Sequence, residues 1–482
     1  MDKEKTKNLN KAAIKSGSGY MLSNILIRSS AIITAPIFTR LLTTSDYGIA
    51  SNFAAWLNIG LVVIGLGLPY SIGNAKMDFP SELNKFLASI QTLGSIFAIS
   101  FLIIAIVFKS QLGKWMELDP SLVIIMFVYL LFQPSVLYMQ ERYKFELLYK
   151  ENIFISIINS IGAIVFCFLF ILYVFNNQRY FGRIGGLIFP MFLMGIFYYF
   201  KIIRDGWEFH IKKYWSYALK ISIPMIPHAL AMVVLTQIDR IMIINICGNS
   251  EAGIYSFGFQ YAVLLLIFSN AVLQAYNPWL YTSYSQNNFK SIRSSNMVIV
   301  LIMSVLTLLI VTAGPEAIKI LGSRDFWDAK LVVMPIAIGA LFQYVYNTYS
   351  SLELYHKKTI VIAIGTVFAA IINYILNSKF IPIYGYVAAA YTTSASYLVL
   401  ALFHLIAYRR ICKKQVYNDR YIWLIVIGTV LISFLMMMLY DYILLRYIIL
   451  FFILSIVGLT QKKKLIAIFK LISGKDKSFN IS

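Results

Sequence analysis

The chain has 482 residues, of which 59% are hydrophobic and only 13% are charged. A soluble domain is about half apolar and a quarter charged, so this composition excludes a water-soluble enzyme. The 42 Lys and Arg residues outnumber the 21 Asp and Glu residues and give a formal net charge of +21. Most of the chain is therefore expected to lie in lipid.

Long apolar runs recur along the chain, each of about 18 to 25 residues, which is the length that an α-helix needs to cross a bilayer. In chain order they predict helices near 20–38, 48–73, 86–108, 122–140, 153–175, 184–203, 222–246, 253–276, 295–313, 331–354, 359–377, 385–408, 421–440 and 442–460. Alternating ten-residue segments typical of membrane strands are absent from the sequence. We therefore predict an all-α integral membrane protein with about fourteen transmembrane helices.

Lys and Arg concentrate in every second loop, as expected for loops that face the cytoplasm. Three such clusters lie at 212–220, 409–414 and 462–464. This pattern predicts that both termini are cytoplasmic. Because the basic residues are scattered over short loops, the charge does not indicate nucleic-acid binding. The three cysteines show no spacing that suggests a metal site or a disulfide framework, and no cofactor is indicated.

An internal repeat is visible in two places. SDYGIASNF begins at Ser45, and SEAGIYSFGF begins at Ser250. The matched positions are Ser45, Gly48, Ile49 and Ser51 in the first copy and Ser250, Gly253, Ile254 and Ser256 in the second. The two copies are thus offset by 205 residues. FGRIGG, which ends at Gly186, and YGYVAA, which ends at Ala389, match at an offset of 203 residues. Each repeat therefore covers six helices.

An even number of helices in each repeat means that both copies enter the membrane with the same polarity. Parallel repeats of this kind are one of the arrangements found in alternating-access transporters. We predict two pseudo-symmetric six-helix lobes, at 1–206 and 207–414, followed by a helix pair and basic tail at 415–482. Substrate is expected between the lobes.

Three segments carry a resemblance to a known family. They are PIFTRLLTTSDYGIASNF from Pro36, IPMIPHALAMVVLTQIDRIMI from Ile223 and SEAGIYSFGFQYA from Ser250. In their order and spacing, the chain resembles the Wzx-type O-antigen and capsular polysaccharide flippases. These form the polysaccharide-transport branch of the multidrug/oligosaccharidyl-lipid/polysaccharide exporter (MOP) superfamily.

The resemblance implies a flippase of the bacterial cytoplasmic membrane that serves polysaccharide biosynthesis, including that of lipopolysaccharide. Its substrate would be an undecaprenyl-pyrophosphate-linked oligosaccharide, moved from the inner to the outer leaflet. Membrane lipids, a polysaccharide polymerase and a chain-length regulator are the implied partners.

A pyrophosphate head group needs cations along its path, and Arg28 is the best candidate within a predicted helix. A charged side chain at mid-helix costs about 2.5 to 3.5 kcal/mol on the insertion scale and normally faces a bundle interior or water. Asn24 lies one turn earlier on the same face. The alternatives are that Arg28 extends to the cytoplasmic surface or forms a structural ion pair.

Four further candidates lie near the first and seventh helices. Arg40, Asp239 and Arg240 are interpreted as ion-pairing or gating residues at the external end, with direct substrate contact as the alternative. His228 lies on nearly the same helical face as Asp239. It is either a proton relay or a hydrogen-bonded interior histidine.

Polar residues at helical spacing mark two more helices. Asn270 and Gln274 share a face of the eighth helix, and Gln343 and Asn347 share a face of the tenth. Such rows suit the hydroxyl groups of a sugar in a hydrated cavity, but hydrogen bonds between helices would produce them as well.

The sequence contains no Walker motif, HExxH or nucleophile elbow, so no catalytic residue is proposed. Two rival functions remain. A cation-coupled small-molecule exporter of the same superfamily would need membrane-embedded carboxylates, of which Asp239 and Glu353 are nearly the only candidates. A membrane-embedded polysaccharide polymerase should have a large external loop and no six-helix duplication.

Overall fold

A computed structural model describes residues 34–472, except for the side chains of 275 and 461–472. The residues in that range form helices joined by short connections, with no strand among them. Contacts between Cα atoms divide the chain into two compact units, Met1–Gly253 and Ile254–Ser482. We call them unit 1 and unit 2.

Unit 1 contains eleven described helices and the start of a twelfth. They are α1 (34–41), α2 (Thr44–Ile64), α3 (Pro69–Asp78), α4 (Leu83–Val107), α5 (Lys109–Met116), α6 (Pro120–Phe145), α7 (Tyr149–Ile157), α8 (Ala163–Leu169), α9 (Arg179–Gly206), α10 (Lys212–Ser222), α11 (Ile226–Cys247) and α12 (Asn249–Ala262). Two π-helical turns, Ile158–Gly162 and Phe170–Val174, continue α7 and α8. The unit boundary lies within α12.

Unit 2 contains the remaining helices. They are α13 (Leu264–Ser285), α14 (Phe289–Thr312), α15 (Gly314–Leu321), α16 (Lys330–Tyr355), α17 (Thr359–Tyr384), α18 (Tyr386–Cys412), α19 (Asp419–Met438) and α20 (Ile443–Ile472). A 3₁₀ turn at Arg324–Ala329 leads into α16.

Thirteen helical segments in the described range are long and apolar enough to cross a membrane. They match the second to fourteenth predicted helices in order, so the all-α membrane fold is confirmed. Most of the first predicted helix, 20–38, lies outside the described residues.

The seventh predicted helix is interrupted near its start. A 3₁₀ turn, Ile223–Met225, separates α10 from α11 and contains Pro224. Pro227 follows at the second position of α11. Proline lacks the N–H that a continuous helix needs, and it clashes with the carbonyl four residues earlier. The two prolines therefore account for the break.

Polar side chains join three helices in the core of unit 1. The Ser135 hydroxyl of α6 donates to Gln91 Oε1 of α4 at 2.8 Å, and the Ser95 hydroxyl donates to Tyr199 Oη of α9 at 3.1 Å. Each such bond is worth about 1 kcal/mol between membrane helices. Some polar residues in the spans of this protein are therefore structural.

Unit 2 is built around α16, whose span is the most buried of those described. It packs against α18, which in turn packs against α17. Asn373 of α17 donates through Nδ2 to Thr393 Oγ1 of α18 at 3.0 Å. The last two helices also belong to this unit, because α19 and α20 both pack against α14.

The repeated motif occupies equivalent places in two helices of unit 1. It begins α2 in the first copy and α12 in the second, with an acidic residue in the first turn of each, Asp46 and Glu251. Thr43 caps α2 because its hydroxyl accepts from the Asp46 backbone N–H at 3.0 Å. The Asp46 carboxylate in turn accepts from the Thr43 backbone N–H at 3.0 Å, which completes a capping box.

The two copies of the motif also contact each other reciprocally. A Cβ at Gly48 would overlap the carbonyl of Asn249, and a Cβ at Gly253 would overlap the carbonyl of Thr44. Thr44 and Asn249 are themselves equivalent positions of the repeat. A contact in which each partner presents the same positions is the signature of a local two-fold axis. The repeat is therefore visible as local symmetry at this crossing.

The predicted lobe boundaries at 206 and 414 stay predictions. The observed division into compact units comes after Gly253 and places α10 and α11 in unit 1. This placement follows from packing, because α11 contacts α2 extensively.

Candidate functional site

Two amide side chains of α16 are more exposed than the residues around them. Gln343 and Asn347 are partly exposed, whereas almost every other residue between 332 and 353 is buried. The Gln343 Oε1 atom has no hydrogen-bond partner among the described residues. The amides are one helical turn apart and therefore share a face. Gln343 therefore carries a buried acceptor without a described partner, on the face that it shares with Asn347.

Helix α13 packs against α16. The Ser351 hydroxyl of α16 donates to Asn277 Oδ1 of α13 at 3.2 Å, and the rings of Tyr281 and Tyr355 lie 5.5 Å apart. These contacts show that the two helices run parallel in a fixed register. Continued at the same offset, this register brings Leu273 level with Asn347 and Ser269 level with Gln343, and Gln274 and Asn270 are the next residues of α13.

Asn270 and Gln274 are both exposed. Together with Gln343 and Asn347 they form what we call the amide row, on neighbouring helices of unit 2. Amides offer both donors and acceptors, as hydroxyl-rich sugars require. The four uncharged candidates therefore lie on two helices that pack against each other, and their shared role in binding stays a prediction.

The charged candidates near the repeat lie in unit 1. Asp239 and Arg240 are buried in α11, and Arg240 Nη1 donates to the Thr236 carbonyl at 2.7 Å. Arg40 is exposed near the end of α1, where its Nη1 donates to the Pro36 carbonyl at 2.5 Å. Their predicted role in gating or ion pairing stays a prediction.

Two further arginines, which sequence reasoning missed, approach the same part of unit 1. Arg179 Nη1 donates to the Leu41 carbonyl at 2.7 Å, and the Arg183 guanidinium lies 3.8 Å from the centre of the Phe38 ring. Arg183 and Arg240 also act electrostatically on Tyr47. The junction of α1 and α2 is therefore surrounded by cationic side chains, which we call the arginine cluster.

The arginine cluster consists of Arg40, Arg179, Arg183 and Arg240. The sequence indicates this cluster only weakly. Arg179 and Arg183 lie at the start of a helix, where arginines are common at the membrane interface. Only the packing of α9 against α2 brings them towards the first repeat.

His228 lies in the first turn of α11 and is half-buried. It follows the proline break and lies in the same helix as Asp239. Its role as a relay or as an interior hydrogen-bonding residue stays open. Arg28 and Asn24 lie outside the described residues.

Sequence reasoning also missed a buried acid–base pair in unit 2. Glu353 of α16 and His404 of α18 are both fully buried, and each carboxylate oxygen lies 2.8 Å from His404 Nδ1. Glu353 had been noted as a membrane carboxylate, but nothing in the sequence connects it with a histidine 51 residues later.

The thirteen candidate spans in the described range define a multi-pass membrane protein. A family model described as "Polysaccharide biosynthesis protein" matches residues 13–283, which is more than half of the chain. The chain belongs to this polysaccharide biosynthesis protein family. A Haemophilus influenzae relative, named only as an uncharacterized membrane protein, is 20% identical over 383 residues, with 74% of this chain and 88% of the relative covered.

Two solved structures of membrane transporters have a fold similar to that of this chain. The lipid II flippase MurJ in an inward closed conformation has a TM-score of 0.68 at 16% identity, covering 94% of this chain and 100% of the MurJ chain. A MATE family multidrug resistance transporter in an inward-facing conformation has a TM-score of 0.63 at 12% identity, covering 80% and 94%. The chain thus shares its fold with these two transporters.

Proposed function

We propose that the protein is a flippase for undecaprenyl-pyrophosphate-linked oligosaccharide, an O-antigen or capsule repeat unit. It moves this substrate across the bacterial cytoplasmic membrane by alternating access. Membership of a polysaccharide biosynthesis family supports a saccharide substrate, and the likeness to a lipid II flippase supports a transporter fold suited to lipid-linked cargo.

The observation that carries the proposal is the amide row. An amide that faces hydrocarbon without a partner costs several kcal/mol. Gln343 and Asn347 nevertheless interrupt an otherwise buried membrane helix, next to two exposed polar residues of α13. Such a face is stable when it meets water or a hydroxyl-rich head group, which is what a saccharide flippase must accommodate.

Cationic side chains would bind the pyrophosphate group of the substrate. The arginine cluster offers guanidinium groups, which bind phosphate oxygens in a bidentate manner. Arg28 is proposed as a second contact, from its position within the first predicted helix. Uncharged amides for the sugar and guanidinium groups for the phosphate correspond to the two parts of the substrate head.

The proposed flippase function also implies a membrane, an orientation and partner proteins. Both termini face the cytoplasm, as the loop charges indicate, and the membrane is the bacterial inner membrane. A polysaccharide polymerase and a chain-length regulator are the proposed downstream partners.

A cation-coupled small-molecule exporter is the second candidate within the superfamily. The observation that favours it is Glu353, a fully buried carboxylate within a membrane span. This feature concerns energy coupling and is compatible with either cargo, so it does not displace the flippase proposal.

Gene deletion followed by analysis of lipid-linked intermediates tests the proposed function. We expect complete repeat units to accumulate on the inner leaflet, because synthesis continues while translocation stops. Complete but unpolymerised units on the outer leaflet would instead identify a polymerase. An unchanged pool of lipid-linked oligosaccharide, with altered drug tolerance, would identify the exporter.

A further inference from the structure

Glu353 and His404 are unusual because both are ionisable and both side chains have no exposed surface. They lie within membrane-spanning helices, where an ionisable residue is costly and usually functional. The two carboxylate oxygens lie at equal distances of 2.8 Å from Nδ1. This geometry fits an Nδ1–H that donates to the carboxylate.

The other imidazole nitrogen is open. His404 Nε2 is buried and has no hydrogen-bond partner among the described residues. It points at Gly365 of α17, where a Cβ would lie only 2.7 Å from Nε2. A glycine at this position leaves Nε2 the space for a proton. Because α17 covers this nitrogen, Nε2 can exchange with water only when the packing of α17 on α18 loosens.

We propose that Glu353 and His404 form the proton-binding site that couples transport to proton movement, which deepens the flippase proposal and rests on it. In the loaded state, Nδ1 and Nε2 both carry protons, so an imidazolium faces a carboxylate and the pair has no net charge. In release, the Nε2–H bond breaks and the proton passes to water. The neutral imidazole and the carboxylate that remain carry one net negative charge.

Burial makes proton occupancy depend on conformation. An isolated charge in the protein interior costs several kcal/mol, whereas a hydrogen-bonded pair of opposite charges costs far less. The occluded site therefore holds its proton, and the unloaded site requires water at Nε2. A ligand that binds one conformation more tightly than another shifts the equilibrium between them, and here the ligand is the proton.

The surrounding groups leave the pair as the main proton carrier of this region. The Tyr346 ring of α16 lies 4.8 Å from the imidazole, and Cys412 of α18 interacts electrostatically with Glu353. Farther along α16, the Tyr284 hydroxyl of α13 lies 2.8 Å from Nε2 of His356, which follows the end of that helix.

The remaining acid nearby has its own partners. Asp419 at the start of α19 accepts from the Tyr408 hydroxyl at 2.7 Å and from Arg409 Nε at 2.8 Å. It is therefore neutralised without Glu353. An imidazole is a poor ligand for sodium, which prefers oxygen atoms, so the pair favours protons over sodium as the coupled ion.

The transport arm uses the full-length protein in proteoliposomes that contain an undecaprenyl-pyrophosphate-linked oligosaccharide. For one coupled proton, a gradient of one pH unit should change the transbilayer distribution of the lipid about tenfold. We expect Glu353→Gln to abolish this response, and Glu353→Asp to retain it.

Glu316→Gln is the matched control, since it makes the same substitution at another ion-paired glutamate of unit 2. A response to sodium but not to protons, or an unchanged proton response in Glu353→Gln, overturns the proposal.

The second arm is independent of the cargo. The chain has four histidines, so ¹⁵N-histidine spectra in nanodiscs can be assigned by the signal that His404→Gln removes. At pH 7 we expect an imidazolium at His404 in the wild-type and Glu316→Gln proteins, and a neutral ring in Glu353→Gln. A neutral His404 in the wild-type protein overturns the proton site. An imidazolium in a protein that moves no lipid-linked oligosaccharide keeps the site and refutes the flippase assignment instead.

Discussion

Arg446 illustrates how this protein stabilises a charge at the edge of the membrane. The side chain is almost fully buried near the start of α20, and its Nη2 donates to Glu316 Oε1 of α15 at 2.6 Å. Burial would raise the pKa of Glu316, but the hydrogen bonds and charge of Arg446 outweigh it and hold this pKa below its ordinary value of 4.5. The pair therefore ties the last described helix to unit 2.

Replacing Glu316 by Gln is expected to lower stability by about 2 kcal/mol, because it leaves a buried guanidinium without its counter-charge. A carboxylate with a lowered pKa contributes stability above its unfolded pKa and loses it as the pH falls through the folded value. In detergent, the Tm difference between wild type and Glu316→Gln should thus be greatest above about pH 6. It should shrink below pH 4.5. A difference that is constant with pH would contradict this account.

Isolated charges could be recognised from the sequence, but their partners could not. Asp239, Arg240 and Glu353 stand out because they interrupt apolar runs. Arg446 and His404 do not, since one lies near a helix start and the other looks like a single polar residue on an apolar helix. Their significance comes from contacts with residues 130 and 51 positions away, which only packing establishes.

At the scale of elements, the crossing of the two repeat copies depends on close backbone approach. Gly48 lies against Asn249, and Gly253 lies against Thr44. The Thr44 and Ser250 hydroxyls lie 2.7 Å apart at the same crossing. Small residues that let helix backbones approach are typical of membrane helix interfaces.

Gly48→Ala and Gly253→Ala should each destabilise the protein by about 1 to 3 kcal/mol, because the added methyl group forces the helices apart. Gly428→Ala is the matched control, since nothing lies within 4 Å of a Cβ at that helical position. Thermal unfolding in detergent measures all three variants. Equal Tm values for Gly48→Ala and Gly428→Ala would show that the crossing is not close-packed.

The amide row is an element-scale feature with a prediction of its own. Gln343→Leu and Asn347→Leu should each lower the rate of oligosaccharide transport roughly fivefold, as expected when a hydrogen bond worth about 1 kcal/mol is lost. Thr348→Val is the control, because the Thr348 hydroxyl bonds to the Tyr344 carbonyl of its own helix. If all three variants transport at the same rate, the row does not contact the substrate.

The spacing of polar residues predicted which faces of these two helices are polar, but it could not predict what those faces meet. Gln91 and Ser95 of α4 show the same spacing, and both form hydrogen bonds to other helices. The sequence therefore left two interpretations of every polar row. The exposure of Asn270 and Gln274 distinguishes these two residues from the buried polar residues that join helices.

At the scale of the whole molecule, helix number and order followed from the sequence because the lipid bilayer imposes one dominant constraint. Each span must be apolar, helical and about 30 Å long. The short helices α3, α5 and α15 were missed, since nothing in hydropathy separates them from loops or from the ends of longer spans. The division after Gly253 could not be read from the sequence either, because the packing of α11 on α2 leaves no mark on it.

The central claim is that this protein moves a lipid-linked oligosaccharide across a bilayer. The most direct measurement reconstitutes the purified protein into vesicles whose undecaprenyl-pyrophosphate-linked oligosaccharide is tagged on the sugar. A membrane-impermeant reagent then destroys the outer tags over time. We predict that wild-type protein exposes the inner-leaflet tags as well, and that protein-free vesicles do not. Inner-leaflet tags that stay protected in the presence of folded protein, with and without a pH gradient, would contradict the account.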